Sequence, residues 1–175
     1  VDVSKWWDSG NTGANTAGEN NPTSPEESVV VKGKAAKLQS TWIGFIGIGA
    51  FASASMFTGN FVDIDGTNGI LSFGQPFTAK PTKLTGYYKY TPVNIDYMEQ
   101  WDSKVDPDLK SGDSDQCIIY IALCTKNYEI RTNPKSRQLF DPNDASVIAY
   151  GELVAKEAVS GEEANGYKKF SIDIK

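Results

Sequence analysis

Histidine is absent from the 175-residue chain, and cysteine occurs only twice. The lack of histidine excludes the Ser-His-Asp and Cys-His catalytic arrangements and removes the commonest metal ligand. Cys117 and Cys124 lie seven residues apart in one apolar run. On a straight strand they point to opposite faces, roughly 23 Å apart, which excludes a disulfide between them. We interpret both as small buried apolar side chains, with reactive or metal-binding thiols as the alternative.

Positive charge and long apolar runs are also scarce. The 17 Lys and Arg residues are outnumbered by 22 Asp and Glu residues, which gives a net charge of -5. Without a basic stripe to neutralise phosphates, nucleic acid and anionic membranes are not expected as partners. The longest apolar and glycine run, Trp42 to Ala52, has eleven residues. A helix that spans a bilayer needs about 20, so no transmembrane segment is predicted.

The turn-forming residues indicate an all-β chain. Sixteen Gly and eight Pro residues divide the sequence into segments too short for long helices. The length suits one domain over residues 1–175. The strand number and spacing favour a jelly-roll β-sandwich over a closed barrel. The predicted strands are Ser28–Val31, Ala35–Trp42, Ile70–Phe73, Lys83–Thr91, Gln116–Leu123, Val147–Lys156 and Tyr167–Ile174.

Four further expectations concern segments around these strands. Residues 8–28 are predicted to form an ordered loop, and residues 44–60 a buried, irregular crossing. Leu38 and Trp42 are expected on a core-facing side of their strand. The segment Gln116 to Leu123 is apolar on both faces, which predicts a deeply buried central strand. Asp65-Gly66 and Asn68-Gly69 predict a tight reversal.

The strand Lys83–Thr91 carries the strongest candidate for a binding surface. Its alternation places Tyr87 and Lys89 on the polar face, where a large ring has no packing role. Sugars are held by exposed aromatic rings together with amide, carboxylate or guanidinium groups. We therefore consider Tyr87 and Lys89 as carbohydrate-binding residues, with Lys37 and Gln39 as neighbours across the sheet. The alternative is a cross-strand aromatic pair that shields the backbone.

Three other candidates lie on predicted loops or chain ends. Trp7 and Trp101 would either close over a sugar-binding groove or plug the end of the sandwich. Arg131 would clamp a carboxylate of an acidic glycan, or remain a solvated loop charge.

Carboxylates cluster at three places in the sequence, namely Asp63/Asp65, Asp106/Asp108 and Asp113/Asp115. Two such groups at a suitable separation can hydrolyse a glycosidic bond, but sequence spacing does not supply that separation. Asp63 and Asp65 also resemble the start of a calcium loop, although the glycine is out of register and the bidentate Glu is missing. A turn is the alternative there, and no other cofactor is expected.

Six short segments together resemble the putative carbohydrate metabolism domain family of secreted and surface proteins from Bacteroides-type bacteria. No single segment is specific, and the resemblance depends on their order over about residues 6–175. They are WDSGN (7–11), KAAKL (34–38), MFTGNF (56–61), FGQPF (73–77), PTKLTGYYKY (81–90) and IAYGE (148–152).

The resemblance implies a jelly-roll sandwich similar to carbohydrate-binding modules, with a polysaccharide or oligosaccharide partner. It further implies the C-terminal part of a longer surface protein, with other domains before it, that is secreted or anchored to the outer membrane as a lipoprotein. We therefore expect a glycan-binding module. A glycoside hydrolase that uses paired carboxylates and a structural or assembly module of a surface appendage are the alternatives.

Overall fold

A computed structural model describes residues 6–18, 21–45, 48–98 and 110–175. The regular secondary structure of these residues is almost entirely antiparallel strand, which confirms the all-β class. The one α-helix of the described ranges, α1 (Asn11–Ala14), is a single turn, and none of their helices is long and apolar enough to cross a membrane. The strands are β1 (Trp7–Ser9), β2 (Thr23–Glu26), β3 (Ala35–Leu38), β4 (Thr41–Phe45), β5 (Ile48–Ala52), β6 (Met56–Asp65), β7 (Asn68–Phe73), β8 (Lys83–Tyr88), β9 (Cys117–Cys124), β10 (Tyr128–Arg131), β11 (Val147–Ala155) and β12 (Lys168–Asp173).

The described residues fall into two compact units, each built from separate stretches of chain. The first lies within Val1–Ser28, Lys34–Thr78 and Lys126–Asp141. The second lies within Val29–Gly33, Ala79–Thr125 and Pro142–Lys175. Several antiparallel sheets are consistent with a β-sandwich. The jelly-roll topology and the single domain stay predictions.

The first unit is centred on a four-stranded antiparallel sheet in the order β1-β6-β7-β10. The β6–β7 hairpin reverses between Asp65 and Asn68, as the Asp-Gly and Asn-Gly pairs predict. The buried side chains of the four-stranded sheet include Phe57, Leu71 and Ile130. Aromatic packing adds to this core, with the ring centroids of Phe57 and Phe73 4.6 Å apart.

The start of the chain is more regular than the sequence predicts. Residues 8–28, predicted to form a loop, contain α1 and β2. The predicted strand Ser28–Val31 is not formed, and β3 pairs with β2 instead. The side chain of Asn11 explains this pairing. Its amide nitrogen donates to the Thr23 carbonyl at 2.6 Å, and its oxygen accepts from the Thr23 N–H at 3.0 Å. This double contact fixes the edge of β2 as a neighbouring strand would.

The prediction that Leu38 and Trp42 face the core is wrong, because these side chains are 49% and 46% exposed. The expected buried crossing over residues 44–60 is also wrong. It contains the hairpin partner β5 and the start of β6, and Phe51 is exposed. The β2–β3 and β4–β5 sheets have two strands each, so a strand pattern that is apolar on one side does not by itself bury that side.

The second unit contains the strand pairs β8–β12 and β9–β11. The bounds of the last two strands of the chain, β11 and β12, agree with the sequence prediction within one or two residues. Inside the β8–β12 pair, the rings of Tyr88 and Phe170 meet edge to face with centroids 5.8 Å apart. Ile172 is buried on the same side. The inward and outward alternation predicted for Lys83 to Tyr88 is confirmed.

Strand β9 differs from its prediction. Ile118 is 50% exposed and Tyr120 is 37% exposed, so the strand is not covered on both faces. Among the described strands, β11 is the one hydrogen-bonded to β9. Cys117 and Cys124 are both half-buried and are not joined by a disulfide, as predicted.

The two strand pairs of the second unit meet at one point. Tyr150 of β11 donates its N–H to the Lys175 carbonyl at 2.8 Å, and Lys175 donates to the Tyr150 carbonyl at 3.0 Å. The next residue, Gly151, passes so close to β12 that an added Cβ would overlap the carbonyl oxygen of Asp173. Only glycine allows this approach without displacing the backbone.

We predict that Gly151→Ala destabilises the protein by about 2 kcal/mol or more, because the methyl group forces the two strand pairs apart. The free energy of unfolding from urea denaturation measures the effect. Gly10→Ala is the matched control, since the nearest atom to its added Cβ is 3.8 Å away. The control should stay within about 0.5 kcal/mol of the wild type. Equal stability of both variants would contradict the close approach.

Candidate functional site

The outward side of the β8–β12 pair is an exposed polar surface, which we call the polar face. Three residues of β8 stand opposite three residues of β12 in an antiparallel register, and all six are exposed. The opposed pairs are Lys83 with Asp173, Thr85 with Ser171, and Tyr87 with Lys169.

Tyr87 is the only aromatic residue among the six, and 45% of it is exposed. Its chain neighbour Tyr88 supplies the ring that packs inward against Phe170. The ring of Tyr87 therefore has no role in the core beneath the strand. Hydroxyl and ammonium groups from Thr85, Ser171 and Lys169 surround it on the same face.

The charges of the polar face are partly paired. Lys83 lies 3.2 Å from the carboxylate of Asp173, and both side chains are well exposed. Lys89, one residue beyond β8, holds its Nζ 5.3 Å from the ring centroid of Tyr167. Tyr167 is buried, and its hydroxyl donates to the carbonyl of Val29 at 3.0 Å. The ammonium of Lys89 therefore lies at one end of the polar face, against the ring of the buried Tyr167.

The remaining described candidates lie outside the β8–β12 pair. The partner of β8 is β12, and that of β3 is β2, so Lys37 and Gln39 are not cross-strand neighbours of Tyr87. Gln39 is exposed and donates its backbone N–H to the Pro22 carbonyl. Trp101 lies outside the described residues.

Trp7 and Arg131 belong to the first unit. They occupy the two edge strands of its four-stranded sheet, β1 and β10. Two strands lie between them, which separates the edges by roughly 14 Å. Trp7 is 51% exposed. The Nε of Arg131 donates to Glu129 Oε1 at 2.7 Å, so its guanidinium already has a carboxylate partner.

The described carboxylate pairs all accept hydrogen bonds, with near neighbours in sequence for Asp63, Asp113 and Asp115 and with a distant residue for Asp65. Asp65 Oδ2 accepts from Asn133 Nδ2 at 2.9 Å, and Asp63 Oδ1 accepts from the Ile64 N–H. Asp113 and Asp115 each accept one backbone N–H from a nearby residue, Lys110 and Gln116 respectively. Asp106 and Asp108 lie outside the described residues. Asp63 and Asp65 lie at the end of β6, directly before the reversal that the alternative predicts.

Within the described ranges, no group of three or more Asp, Glu, Cys or His side chains is arranged to hold a metal ion. Calcium at Asp63 and Asp65 stays a prediction.

A second group of side chains, which we call the tyrosine–carboxylate cluster, lies on the outer side of the β9–β11 pair. It consists of Tyr120 on β9 and Tyr150 and Glu152 on β11. The Tyr150 hydroxyl donates to Glu152 Oε2 at 2.7 Å, and the two ring centroids are 6.0 Å apart. Burial raises the pKa of Tyr150, and its hydrogen bond to Glu152 raises it further. Burial also raises the pKa of Tyr120.

The sequence does not predict this cluster, because the run from Gln116 to Leu123 is apolar at positions on both faces of the strand. A usable signal was present. Tyr150 and Glu152 alternate with Gly151, and Tyr120 is the one polar-tipped side chain within the apolar run of β9. This pattern is typical of a strand with one open face.

A third group surrounds the hydroxyl of Tyr90. Among the described residues this buried Oη has no hydrogen-bond partner. Burial raises the pKa of Tyr90 to about 12, and the charge of Asp115 contributes. Burial and Asp115 also raise the pKa of Cys117, which keeps this thiol protonated. A protonated thiol favours the structural interpretation of Cys117 over the reactive one.

We predict that Tyr90→Phe is neutral or stabilising by up to about 1 kcal/mol near neutral pH, because it removes an unsatisfied buried hydroxyl. In the wild type the unfolded phenol ionises near pH 10 and the folded one near 12, so stability is lost as the pH rises between these values. The variant lacks this loss. Urea denaturation at several pH values should show the gap between the proteins widening above pH 10. A constant gap, or a strongly destabilised variant, would contradict the assignment.

The fold and these exposed faces define an all-β domain with polar and aromatic strand surfaces. The sequence model of the putative carbohydrate metabolism domain matches residues 1–175. The match covers the whole chain, so the chain belongs to this family. Searches of curated proteins and of solved structures gave no significant match.

Proposed function

We propose that the chain is a noncatalytic glycan-binding module and that the polar face of β8–β12 contacts the sugar. The observation that carries this proposal is the exposed ring of Tyr87 among hydroxyl and ammonium groups on one strand face. Membership of a carbohydrate metabolism family supports a sugar as the ligand.

The chemistry of the polar face matches that of a pyranose. One side of a sugar ring presents C–H groups, which pack against an aromatic ring, while its hydroxyls need hydrogen-bond partners at the edges. Tyr87 offers the ring, and Thr85 and Ser171 offer hydroxyls on the adjacent cross-strand pair. Lys169, directly opposite Tyr87, donates hydrogen bonds and also tolerates a carboxylate on the sugar.

Binding is favoured over hydrolysis by the carboxylates of the polar face. Both classes of glycosidase use two carboxyl groups that flank the scissile bond. The polar face contributes one, Asp173, and that carboxylate is paired with Lys83. A glycoside hydrolase would therefore need groups from outside this face.

We also propose that the module acts outside the cytoplasm, on a secreted protein or a lipoprotein of the outer-membrane surface, with further domains in the same chain. The segments that resemble secreted and surface proteins support this location. A polysaccharide ligand is consistent with it.

We predict that Tyr87→Ala weakens glycan binding about tenfold, the effect of losing one well-placed ring. Affinity electrophoresis in gels that contain soluble glucan, mannan, xylan, galactan, polygalacturonate or alginate measures the dissociation constant. Tyr97→Ala is the control, because Tyr97 is a similarly exposed tyrosine outside the β8–β12 pair.

If the polysaccharide gels retard Tyr87→Ala as strongly as the wild type, the proposed site is wrong. A wild-type protein that no polysaccharide retards would contradict glycan binding itself. If the protein releases reducing sugar from a polysaccharide to which it binds in the gel, the hydrolase alternative is established instead.

A further inference from the structure

The outer sides of β8–β12 and β9–β11 belong to one surface. Tyr150 and Lys175 exchange both backbone hydrogen bonds, as directly opposed residues of an antiparallel pair do. Opposed residues project their side chains from the same face. Lys175 follows Asp173 by two residues, so it shares the face of Asp173. Tyr150 therefore projects on the same side as the polar face.

The inner side of the junction agrees with this assignment. An added Cβ on Gly151, which points away from the side of Tyr150 and Glu152, would meet Cγ2 of Ile172. Ile172 is buried and lies on the side of β12 opposite Asp173. Both strand pairs thus turn the same side inward, and the polar face continues into the tyrosine–carboxylate cluster.

The cluster contains groups suited to sugar recognition. Glu152 stands directly opposite Tyr120 in the β9–β11 register, and Tyr150 lies two residues along the same strand face. The hydrogen bond from Tyr150 occupies Glu152 Oε2 and fixes the orientation of the carboxylate. Oε1 remains an acceptor beside the half-exposed ring of Tyr120. A ring for C–H packing and an oriented carboxylate for two vicinal hydroxyls are thus adjacent.

The tyrosine–carboxylate cluster and the polar face differ in local charge. Strands β9 and β11 contain no Lys or Arg, and Glu152 is their one carboxylate. The cation nearest to the cluster on this face is Lys175, opposite Tyr150, and Glu152 makes no ion pair within the described residues. The polar face contains Lys83 and Lys169 against Asp173. An acidic sugar is therefore repelled at Glu152, where an uncharged sugar is not.

We propose that the glycan-binding surface extends from Tyr87 to Tyr120 and Glu152, so that the module binds a stretch of polysaccharide chain, with an uncharged sugar at the Glu152 end. This proposal rests on the proposed function. Three strand spacings and about four residues along the strands separate Tyr87 from Tyr120, roughly 20 Å. A single sugar does not bridge that distance.

A protein partner fits the cluster less well than a glycan. Ile118 and Val154 make the rim apolar, which by itself would suit a packed interface. However, a dry interface would bury Glu152, which makes no ion pair within the described residues, at a considerable desolvation cost. A second copy of the chain docked on the same face would bring another Glu152 towards the first. A sugar leaves the carboxylate hydrogen-bonded and in contact with water.

The test is calorimetric titration of the full chain with glucose, mannose and xylose, and with their β-1,4-linked disaccharides, tetrasaccharides and hexasaccharides. We expect the affinity to rise at least tenfold from disaccharide to hexasaccharide for the series that binds. Tyr120→Ala should weaken hexasaccharide binding about tenfold and disaccharide binding at Tyr87 little. Tyr120→Phe, which keeps the ring, should lose no more than about threefold.

Glu152→Gln tests the charge. It should weaken binding of the neutral hexasaccharide about three- to tenfold, the effect of one hydrogen bond. It should also strengthen binding of an oligogalacturonide relative to the wild type, because the repulsion at this end is gone. Thermal melting of each variant establishes that it is folded.

The outcomes for the two proposals are distinguishable. If Tyr87→Ala loses binding while Tyr120→Ala and Glu152→Gln match the wild type, the extended surface is wrong and the glycan-binding module stands. If no sugar of the three series binds, the extended surface for neutral chains is wrong, and retention by polysaccharide gels decides the module separately. Dimerisation that Tyr120→Ala abolishes, seen by sedimentation in the absence of sugar, would overturn the assignment of this face to a glycan.

Discussion

The backbone pairing of Tyr150 with Lys175 determines how the second unit presents its side chains. It joins two separate strand pairs at Lys175, just after the end of β12, and Gly151 makes the approach sterically allowed. Because the pairing sets which sides of the strands face the same way, it aligns the polar face with the tyrosine–carboxylate cluster. Each strand pair alone would offer a small surface. Together they offer an open surface with a ring at either end, Tyr87 and Tyr120.

Local sequence rules account for parts of both units, whereas the strand pairing at the start of the chain depends on contacts that those rules do not contain. The strict alternation around Tyr87 and the paired glycine turns after Asp65 each specify a local geometry, and both are observed. The β2–β3 pair depends on the Asn11 side chain, which holds Thr23 from twelve residues away. The exposure of Trp42 depends on how many strands join its sheet. Periodicity reports which side chains share a face, but not whether anything covers that face.

The same limit explains the candidate site. Tyr87 was predictable because a ring among polar neighbours contradicts core packing, and the structure places it on an exposed face. The cluster around Glu152 was not, because the apolar sequence of β9 resembles a buried strand, whereas β11 is its one paired neighbour among the described strands and Tyr120 is exposed. Arg131 was a reasonable anion clamp in sequence, yet its guanidinium contacts Glu129. The strands that pair with β9 decide the first case, and a carboxylate two residues away on the same strand decides the second.

Backbone amide chemical shifts, followed by NMR during titration with the hexasaccharide that binds, test the central claim most directly. The account predicts that perturbed amides fall on all four strands of the second unit, around Tyr87 on β8, Ser171 on β12, Glu152 on β11 and Tyr120 on β9. It also predicts that the disaccharide perturbs only part of this set. Perturbations confined to residues of the first unit, or to β8 and β12 alone at saturation, would contradict a continuous glycan surface.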